Sequence, residues 1–197
     1  MAKMDSATRQ AQIKKAVLDI ISTEGIGKLS TRNLAARIGV TEGALFRHFS
    51  SKKDIMLSIL MDVKNDLLDE QEKIVYSGVK ADEKLRAFLC LHVKYLIQNK
   101  GITMLLFSEA AHLNEPKLKM GLREILLTQK EYVSHIVRQG ISEGLWDPSL
   151  AVEDVVLLYL GIPITLNIEL ILQTDEVKQE NFCARMLPLF AKLLERK

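Results

Sequence analysis

Residues 43–48 combine small and hydrogen-bonding side chains at a spacing that suits the recognition of a duplex. Gly43 and Ala44 are followed, one helical turn later, by Arg47 and His48. In a helix this spacing places all four on one side. A small residue lets a helix backbone approach base edges, an alanine can contact a thymine methyl, and an arginine can donate two hydrogen bonds to guanine. The pattern predicts direct contacts with double-stranded DNA.

A second spacing pattern would suit a metal centre or an enzyme. Glu109 and His112 form a Glu-x-x-His motif, and Glu131 and His135 form another carboxylate–imidazole pair one helical turn apart. Di-iron bundles use two Glu-x-x-His copies and two further glutamates, whereas this sequence has one true copy. The motifs Gly-x-Ser-x-Gly and His-Glu-x-x-His and phosphate-binding glycine loops are absent. We therefore predict no enzymatic activity, no metal and no cofactor, with a single structural or sensory metal as the alternative.

Charge is distributed unevenly along the chain. Residues 1–60 hold ten Lys and Arg and five Asp and Glu, so they carry a net charge of +5. Residues 61–197 hold seventeen basic and twenty acidic side chains and carry −3. A basic N-terminal third on an acidic remainder indicates that this third binds a polyanion.

Cysteine content and hydropathy favour a cytoplasmic protein. Cys90 and Cys183 are single and far apart in the sequence, which predicts reduced thiols rather than a disulfide framework or a zinc site. The N-terminus has no apolar signal segment. The most apolar run, residues 155–166, has twelve residues and contains Pro163, whereas a membrane-spanning helix needs about 20. We expect no membrane contact, and we expect another surface to cover this run.

Apolar spacing and capping residues predict two helices before a tight turn. The first helix is expected from about Ser6 to Thr23, where apolar residues recur with helical period. Ser30 is suited to cap the second helix. Gly39 then supplies a turn, because glycine tolerates a positive φ.

Two further helices are predicted after this turn. Thr41 is expected to cap a short third helix that ends near Phe49, with Leu45 and Phe49 on its inward face. Ser51 begins a capping box for a long fourth helix that ends near Val75. Two short helices joined by a glycine turn and packed on another helix are typical of the helix-turn-helix, whose last helix enters the major groove.

The rest of the chain is also predicted to be helical. No strand-like alternation, internal repeat or low-complexity tract interrupts the pattern, so the fold class is all-α. The expected helices cover residues 81–99, 102–112, 116–143, 150–172 and 178–195.

These residues make the sequence resemble the TetR family of bacterial transcriptional regulators. The matching motifs are LSTRNLA (residues 29–35), GVT (39–41) and LFRHF (45–49), followed by Lys52 and Lys53. They cover about residues 10–58; beyond residue 60 only length and helical layout match. The resemblance implies a helix-turn-helix DNA-binding domain in residues 1–52 and a helical effector-binding and dimerisation domain in residues 53–197.

The resemblance also implies a set of DNA-contacting residues. Thr31 would contact phosphate, and Arg32 would reach phosphate or a base edge. Glu42 either accepts from a cytosine amine or is simply an acid at a helix start. Phe46 departs from the family, which usually has tyrosine there, and is limited to apolar contacts. The full set is Thr31, Arg32, Thr41, Glu42, Gly43, Ala44, Phe46, Arg47, His48 and Lys52.

For the remainder of the chain, the resemblance implies a homodimer and an effector site. The last two helices, which are strongly apolar, would form the dimer interface, with a buried core within one chain as the alternative. The dimer would bind a palindromic operator, usually as a repressor. A small, hydrophobic effector of unknown identity would bind among the middle helices. Candidate ligand contacts are His92, Tyr95, Met104, Phe107, His112, Tyr132, His135 and Trp146.

An architectural DNA-binding protein without an effector is the competing class. Residues 1–60 would serve it equally well. Residues 61–197 argue against it, because simple architectural proteins do not need a large helical body.

Overall fold

The computed structural model describes residues 5–112, 115–172 and 179–195, without the side chains of Phe107, residues 109–112 and residues 179–180. These described residues form helices joined by turns and loops, with no β-strand, which confirms the all-α prediction. The α-helices are α1 Ser6–Glu24, α2 Thr31–Arg37, α3 Glu42–Leu45, α4 Lys52–Asp62, α5 Asp69–Val75, α6 Ala81–Gln98, α7 Ile102–His112, α8 Pro116–Ser142, α9 Val152–Leu172 and α10 Gln179–Leu194.

Helix α1 is capped by Asp5 at its N-terminus and ends at Gly25. The Asp5 carboxylate accepts a hydrogen bond from the Thr8 backbone N–H at 2.8 Å and one from its hydroxyl at 2.7 Å. These bonds lower the pKa of Asp5, because they stabilise its charged form. Gly25 ends the helix at a φ of 86°. The predicted apolar stripe is buried, and it consists of Ile13, Ala16, Val17, Ile20 and Ile21.

The predicted fourth helix is divided in the structure. Between α4 and α5, residues Val63–Leu68 form a π-helical segment, whose wider turn the periodicity of the sequence did not indicate. Val63, Leu67 and Leu68 are all buried. A wider turn brings positions i, i+4 and i+5 to one side of the helix, so the segment buries three apolar side chains together.

The described residues fall into two compact units. The first is Met1–Asp62 with Asn99–Leu122, and the second is Val63–Gln98 with Arg123–Lys197. The helix-turn-helix therefore packs in one unit with α7 and the start of α8. The predicted domain boundary after residue 52 stays a prediction.

The first unit has an apolar core beneath the helix-turn-helix. Side chains from α1, α2, α3 and α4 meet there, and Leu105 and Leu118 from the later segment are fully buried in the same unit. Gly121 packs so closely on Leu60 that an added Cβ would lie 2.1 Å from Leu60 Cδ2. The core residues contributed by the first four helices include Ile13, Val17, Ile20, Leu34, Leu45, Ile55, Met56 and Ile59.

The second unit has an aromatic core with polar groups inside it. The Tyr159 ring lies 5.8 Å from both the Phe88 and the Phe190 ring centroids, which joins α6, α9 and α10. Lys84 is 3 % exposed, and its Nζ donates to the Val75 carbonyl at 2.6 Å and to Gln139 Oε1 at 2.8 Å. These two hydrogen bonds supply partners for a cation that is otherwise costly to bury.

Helix α9 is the most apolar segment that the structure describes. By length and composition alone it could cross a membrane, with a mean hydropathy of 2.1, and 44% of its most apolar window is buried. The buried face includes Tyr159 and Asn167, while Leu157, Ile164 and Ile168 on the opposite side are exposed. One side of α9 therefore belongs to the core of the second unit.

Candidate nucleic-acid interface

The turn between α2 and α3 has the geometry that the sequence predicts. The Ser30 hydroxyl accepts from the Asn33 backbone N–H at 3.1 Å, which caps α2. At its other end, Gly39 has a φ of 68°. The backbone N–H groups of Gly39 and Val40 donate to the carbonyls of Ala36 and Ala35, at 3.2 and 3.0 Å. This bonding pattern closes a helix C-terminus and turns the chain sharply.

Helix α3 is shorter than predicted. Thr41 caps it, accepting from the Ala44 backbone N–H at 3.1 Å, but the α-helix ends at Leu45 rather than near Phe49. The His48 N–H donates to the Leu45 carbonyl at 3.0 Å, three residues back, so the last turn is tighter than an α-helix. Leu45 and Phe49 are both buried as predicted.

The predicted DNA contacts at the tip of this unit are mostly exposed. Gly43 and Arg47 are exposed and Ala44 is half-buried, whereas Phe46 is 46 % exposed and presents an apolar ring to solvent. Arg47 lies in the turn after α3 rather than within the helix. The helix start and the following turn together form one outward surface.

A hydrogen bond joins the starts of α2 and α3. The Thr31 hydroxyl donates to Glu42 Oε2 at 2.6 Å. From the sequence, each side chain was assigned a separate role towards DNA, and their pairing was not predicted. The bond fixes the spacing of the two helix N-termini at the surface that would approach the duplex.

Several basic residues of the first unit are held in ion pairs. Arg37 pairs with both Asp19 and Glu24, which fastens α2 to α1. The Nζ of Lys53, which follows the family motif, lies 2.8 Å from Glu115 Oε2, and this pair lowers the pKa of Glu115. Arg32 and Arg47 are exposed. Arg37 and Lys53 are therefore engaged by acidic side chains, whereas Arg32 and Arg47 are presented to solvent.

His48 is connected to α1 as well as to the outward surface. Its Nδ1 lies 3.3 Å from the Ser6 hydroxyl, and its carbonyl accepts from Gln10 Nε2 at 3.1 Å. The half-buried ring borders a small cavity of about 110 Å³ beneath Ala44. Ser6 and Gln10 were not predicted from the sequence, because no local pattern places the first helix beside residue 48. They support the turn that carries Arg47.

The surroundings of Gly43 give no reason within the chain for a glycine there. A Cβ built at Gly43 would meet nothing within 4 Å, and its φ is not positive. Glycine in a helix lowers stability by roughly 0.5–1 kcal/mol relative to alanine. We expect Gly43→Ala to raise the free energy of unfolding by up to about this amount, and to weaken duplex binding because a methyl group would separate backbone and bases. Urea unfolding and fluorescence anisotropy with labelled duplex measure the two effects.

Gly78→Ala is the matched control for this substitution. Gly78 is likewise exposed, without a positive φ and with open space around its Cβ position, but it lies in the second unit. This variant should gain stability and keep its affinity for DNA. Unchanged DNA affinity of Gly43→Ala would remove close backbone approach as the explanation for Gly43.

The predicted ligand contacts belong to both units. Tyr95 and Tyr132 are buried in the second unit along with His92, whereas His135 is exposed and its ring lies 5.2 Å from the Tyr76 ring. Trp146 is buried in the same unit. Met104 is exposed in the first unit, and the side chains of Phe107 and His112 lie outside the described residues.

Buried polar atoms without hydrogen-bond partners mark the interior of the second unit. His92 Nδ1 is one of them, and burial lowers the pKa of this imidazole to about 4. Gln129 Nε2 donates to Gln71 Oε1 at 2.8 Å, which leaves Gln71 Nε2 and Gln129 Oε1 unpaired. The Tyr159 hydroxyl and Asn167 Nδ2 are also unpaired. Such groups are costly to bury alone, and a polar atom of a bound molecule could satisfy them.

The metal pattern considered from the sequence lies only partly within the described side chains. Glu131 and His135 are both exposed, and the side chains of Glu109 and His112 lie outside the described residues. Among the side chains that the structure does describe, no cluster of three or more His, Cys, Asp or Glu has a metal-binding arrangement.

Comparison with known proteins agrees with this geometry. Residues 13–59 match the family model described as "Bacterial regulatory proteins, tetR family". A curated relative, the nucleoid occlusion factor SlmA of Vibrio campbellii, is 26% identical over 146 residues, which cover 73% of this chain and 74% of that protein.

Solved structures share the fold along nearly the whole chain. The ketosteroid transcriptional regulator KstR2 of Mycobacterium tuberculosis has a TM-score of 0.80 at 17% identity, with 96% of each chain covered. The regulator FadR from Bacillus subtilis, in complex with stearoyl-CoA, has a TM-score of 0.68 at 21% identity, covering 92% of this chain and 97% of that chain. At these identities the likeness establishes the fold.

Proposed function

We infer the function of this chain from its family: it carries the N-terminal domain of the tetR family of bacterial regulatory proteins and has the fold of that family's transcriptional regulators. We propose that it represses transcription by binding a palindromic operator as a homodimer, and that a small hydrophobic effector releases it. The observation that carries the DNA-binding part is the outward surface formed by α3 and the turn after it. Gly43 has open space around it, Arg47 is exposed, and the sharp turn at Gly39 precedes both.

Exposed apolar side chains on the last two helices support a homodimer. We call this set the C-terminal apolar stripe. The exposed members recur at helical spacing on both α9 and α10. On each helix they lie opposite or beside the buried face. Exposed apolar surface of this extent marks an interaction site. The stripe comprises Leu157, Ile164, Ile168 and Leu172 of α9, and Leu189 and Leu193 of α10.

A second copy of the chain is the partner that fits the proposed DNA binding. One helix-turn-helix makes few base contacts, so such proteins bind as twofold dimers with half-sites about 34–36 Å apart or a multiple of this distance. In a twofold interface the same surface of each subunit contacts its copy. One apolar stripe on each chain is therefore sufficient to form it. This arrangement would cover the exposed side of α9 and would place the protein in the cytoplasm rather than in a membrane.

The interior of the second unit supports a small, largely apolar effector. The unpaired atoms of His92, Gln71, Gln129, Tyr159 and Asn167 provide a few polar anchors among apolar side chains, which is typical of ligand sites. Two proteins of the same fold are associated with molecules that have a large apolar part, one a regulator named for ketosteroids and the other bound to stearoyl-CoA. The chemistry of the interior favours a molecule of this class here.

A nucleoid occlusion role is the second candidate function, because the curated relative with 26% identity carries that name. Sequencing of genomic fragments bound to the protein distinguishes the two. A regulator should select a few sites near promoters, whereas a nucleoid-associated protein should select many sites distributed along the chromosome. Genes beside the selected sites would also point to the effector.

Arg47→Ala tests the proposed reading of DNA. If Arg47 pairs with a base edge, its loss should cost about 1–3 kcal/mol on the selected operator and less on a scrambled duplex. Anisotropy titrations on both duplexes, repeated over a series of salt concentrations, measure the difference. Arg123→Ala removes the same charge from an exposed position in the second unit and should leave both affinities unchanged.

The outcomes of this experiment separate two roles. An equal loss on operator and scrambled DNA would assign Arg47 to a phosphate, because phosphate contacts carry no sequence information. Failure of the unaltered protein to select or bind any duplex would remove the proposed function.

A further inference from the structure

The fold brings the two cysteines of the sequence together. Cys90 lies on α6 and Cys183 on α10, and both line one open cavity of about 530 Å³ in the second unit. The same cavity is bordered by Arg86, Trp146 and Leu187. Within it the two side chains are close enough to form a thiol–thiol hydrogen bond.

A chance contact between these two cysteines is uncommon. A buried residue typically touches about 6–12 others. For two cysteines distant in a chain of 197 residues, an accidental meeting would therefore occur roughly once in twenty chains. The sequence predicted two reduced thiols, and their positions in it carry no sign of this contact.

Reagents can reach the pair through the cavity. Cys90 is half-buried and Cys183 is buried, and both line the cavity. On α10 the cavity is lined by Ala184, Leu187, Pro188 and Ala191, a side of the helix away from the exposed Leu189 and Leu193. A second subunit on the C-terminal apolar stripe would therefore leave the thiols accessible to a small molecule.

We propose that Cys90 and Cys183 form an oxidisable pair that hydrogen peroxide converts to a disulfide within one chain. The Cys90 sulfur attacks one peroxide oxygen and breaks the O–O bond, which gives a sulfenic acid and one water. The Cys183 sulfur then attacks the sulfenic sulfur and displaces the hydroxyl, which leaves with the Cys183 proton as a second water. Two thiols are oxidised and one peroxide is reduced.

The surroundings favour this order of attack. Burial and the hydrogen bond with Cys90 raise the pKa of Cys183 to about 12, so its thiol stays protonated near neutral pH and is a poor first nucleophile. Cys90 is the more accessible thiol, and Arg86 lies one helical turn before it on the cavity wall. Cys183 is therefore the resolving thiol.

The disulfide would tie α10 to α6. Cytosolic disulfides are usually transient and often sense oxidants. We therefore expect this disulfide to link and release α6 and α10 reversibly. Its effect on operator binding rests on the proposed function, since α10 carries part of the C-terminal apolar stripe. The chemistry itself does not depend on DNA binding.

Mass spectrometry of the reduced full-length protein tests the proposal. After treatment with hydrogen peroxide and then N-ethylmaleimide, the intact mass should fall by two hydrogens, with no alkylation. Peptide mapping should link Cys90 to Cys183, and dithiothreitol should restore two alkylatable thiols. Two alkylated thiols after peroxide, or a disulfide between two chains, would overturn the proposal.

Single substitutions test the order of the steps. In Cys183→Ser the reaction should stop at a Cys90 sulfenic acid that dimedone traps, whereas Cys90→Ser should give no dimedone adduct. An adduct on Cys183 alone would reverse the assigned roles. Circular dichroism checks that the variants fold, and the measurement on the unaltered chain does not depend on them.

Anisotropy with the selected operator, before and after oxidation, tests the consequence for DNA binding. If oxidation changes the operator affinity and Cys90→Ser abolishes this change, the cysteine pair controls operator binding. An operator affinity that oxidation leaves unchanged would rule out this control. If the disulfide forms but the reduced protein binds no duplex, the proposed function fails while the thiol chemistry stands.

Discussion

Leu189→Glu should convert the protein from dimer to monomer and weaken operator binding by roughly 10³-fold. Leu189 is 65 % exposed in the single chain and belongs to the C-terminal apolar stripe. We expect Leu189 to be one of the few hot-spot residues near the centre of the interface, which contribute about 2 kcal/mol or more each. A twofold interface contains this residue twice, so the substitution removes about 4 kcal/mol of interface free energy. This loss corresponds to roughly 10³-fold in the affinity with which two chains assemble on the operator. Sedimentation and anisotropy titration measure the two effects.

Met120→Glu is the control for this prediction. Met120 is 70 % exposed and equally apolar, but it lies on α8, outside the stripe. This variant should remain dimeric and keep its operator affinity. A dimer that survives Leu189→Glu, or an unaltered protein that is monomeric at micromolar concentration, would contradict the assignment of the stripe.

The free energy of unfolding should fall by about 2 kcal/mol between pH 7 and pH 5 because of proton binding by His92 in the unfolded chain. Burial lowers the pKa of this imidazole from 6.5 to about 4 in the folded protein. Between these two pKa values the unfolded chain binds a proton that the folded chain excludes. The contribution of neutral His92 to the free energy of unfolding is therefore fully present above pH 6.5 and is lost as the pH falls towards 4. The full effect is about 3 kcal/mol, at about 1.36 kcal/mol per pKa unit.

Urea unfolding at fixed protein concentration checks this dependence, because dimerisation would make the midpoint vary with concentration. His92→Gln removes the titrating group and should flatten the profile between pH 7 and pH 5. His135→Gln is the control, since it removes an imidazole from an exposed position in the same unit. A profile that keeps its slope in His92→Gln would assign the dependence to other groups.

Local patterns in the sequence were sufficient to predict most of the helices. Ser30, Gly39 and Thr41 have the predicted roles, because caps and turns depend on the chemistry of adjacent residues. The end of α3 and the π-helical segment Val63–Leu68 were not predicted, since each depends on how buried side chains reach a core that the local pattern does not reveal.

Pairings between distant residues could not be predicted for the same reason. The bond from Thr31 to Glu42 joins residues that were assigned separate roles. The unpaired atoms of Gln71 and Gln129, and the meeting of Cys90 with Cys183, depend on which helix faces pack together. The candidate DNA surface could be predicted from the sequence because it lies within one short segment. An effector site would instead be formed by residues of several helices.

The makeup of the first unit limits how this protein can be recombined with others. Residues 99–122 supply Leu105 and Leu118 to its buried interior and Glu115 as the partner of Lys53. A fragment that ended after residue 62 would lack these side chains. Chimeras that exchange binding specificity between regulators should therefore transfer both segments, or graft only the outward residues of α3 onto an intact recipient.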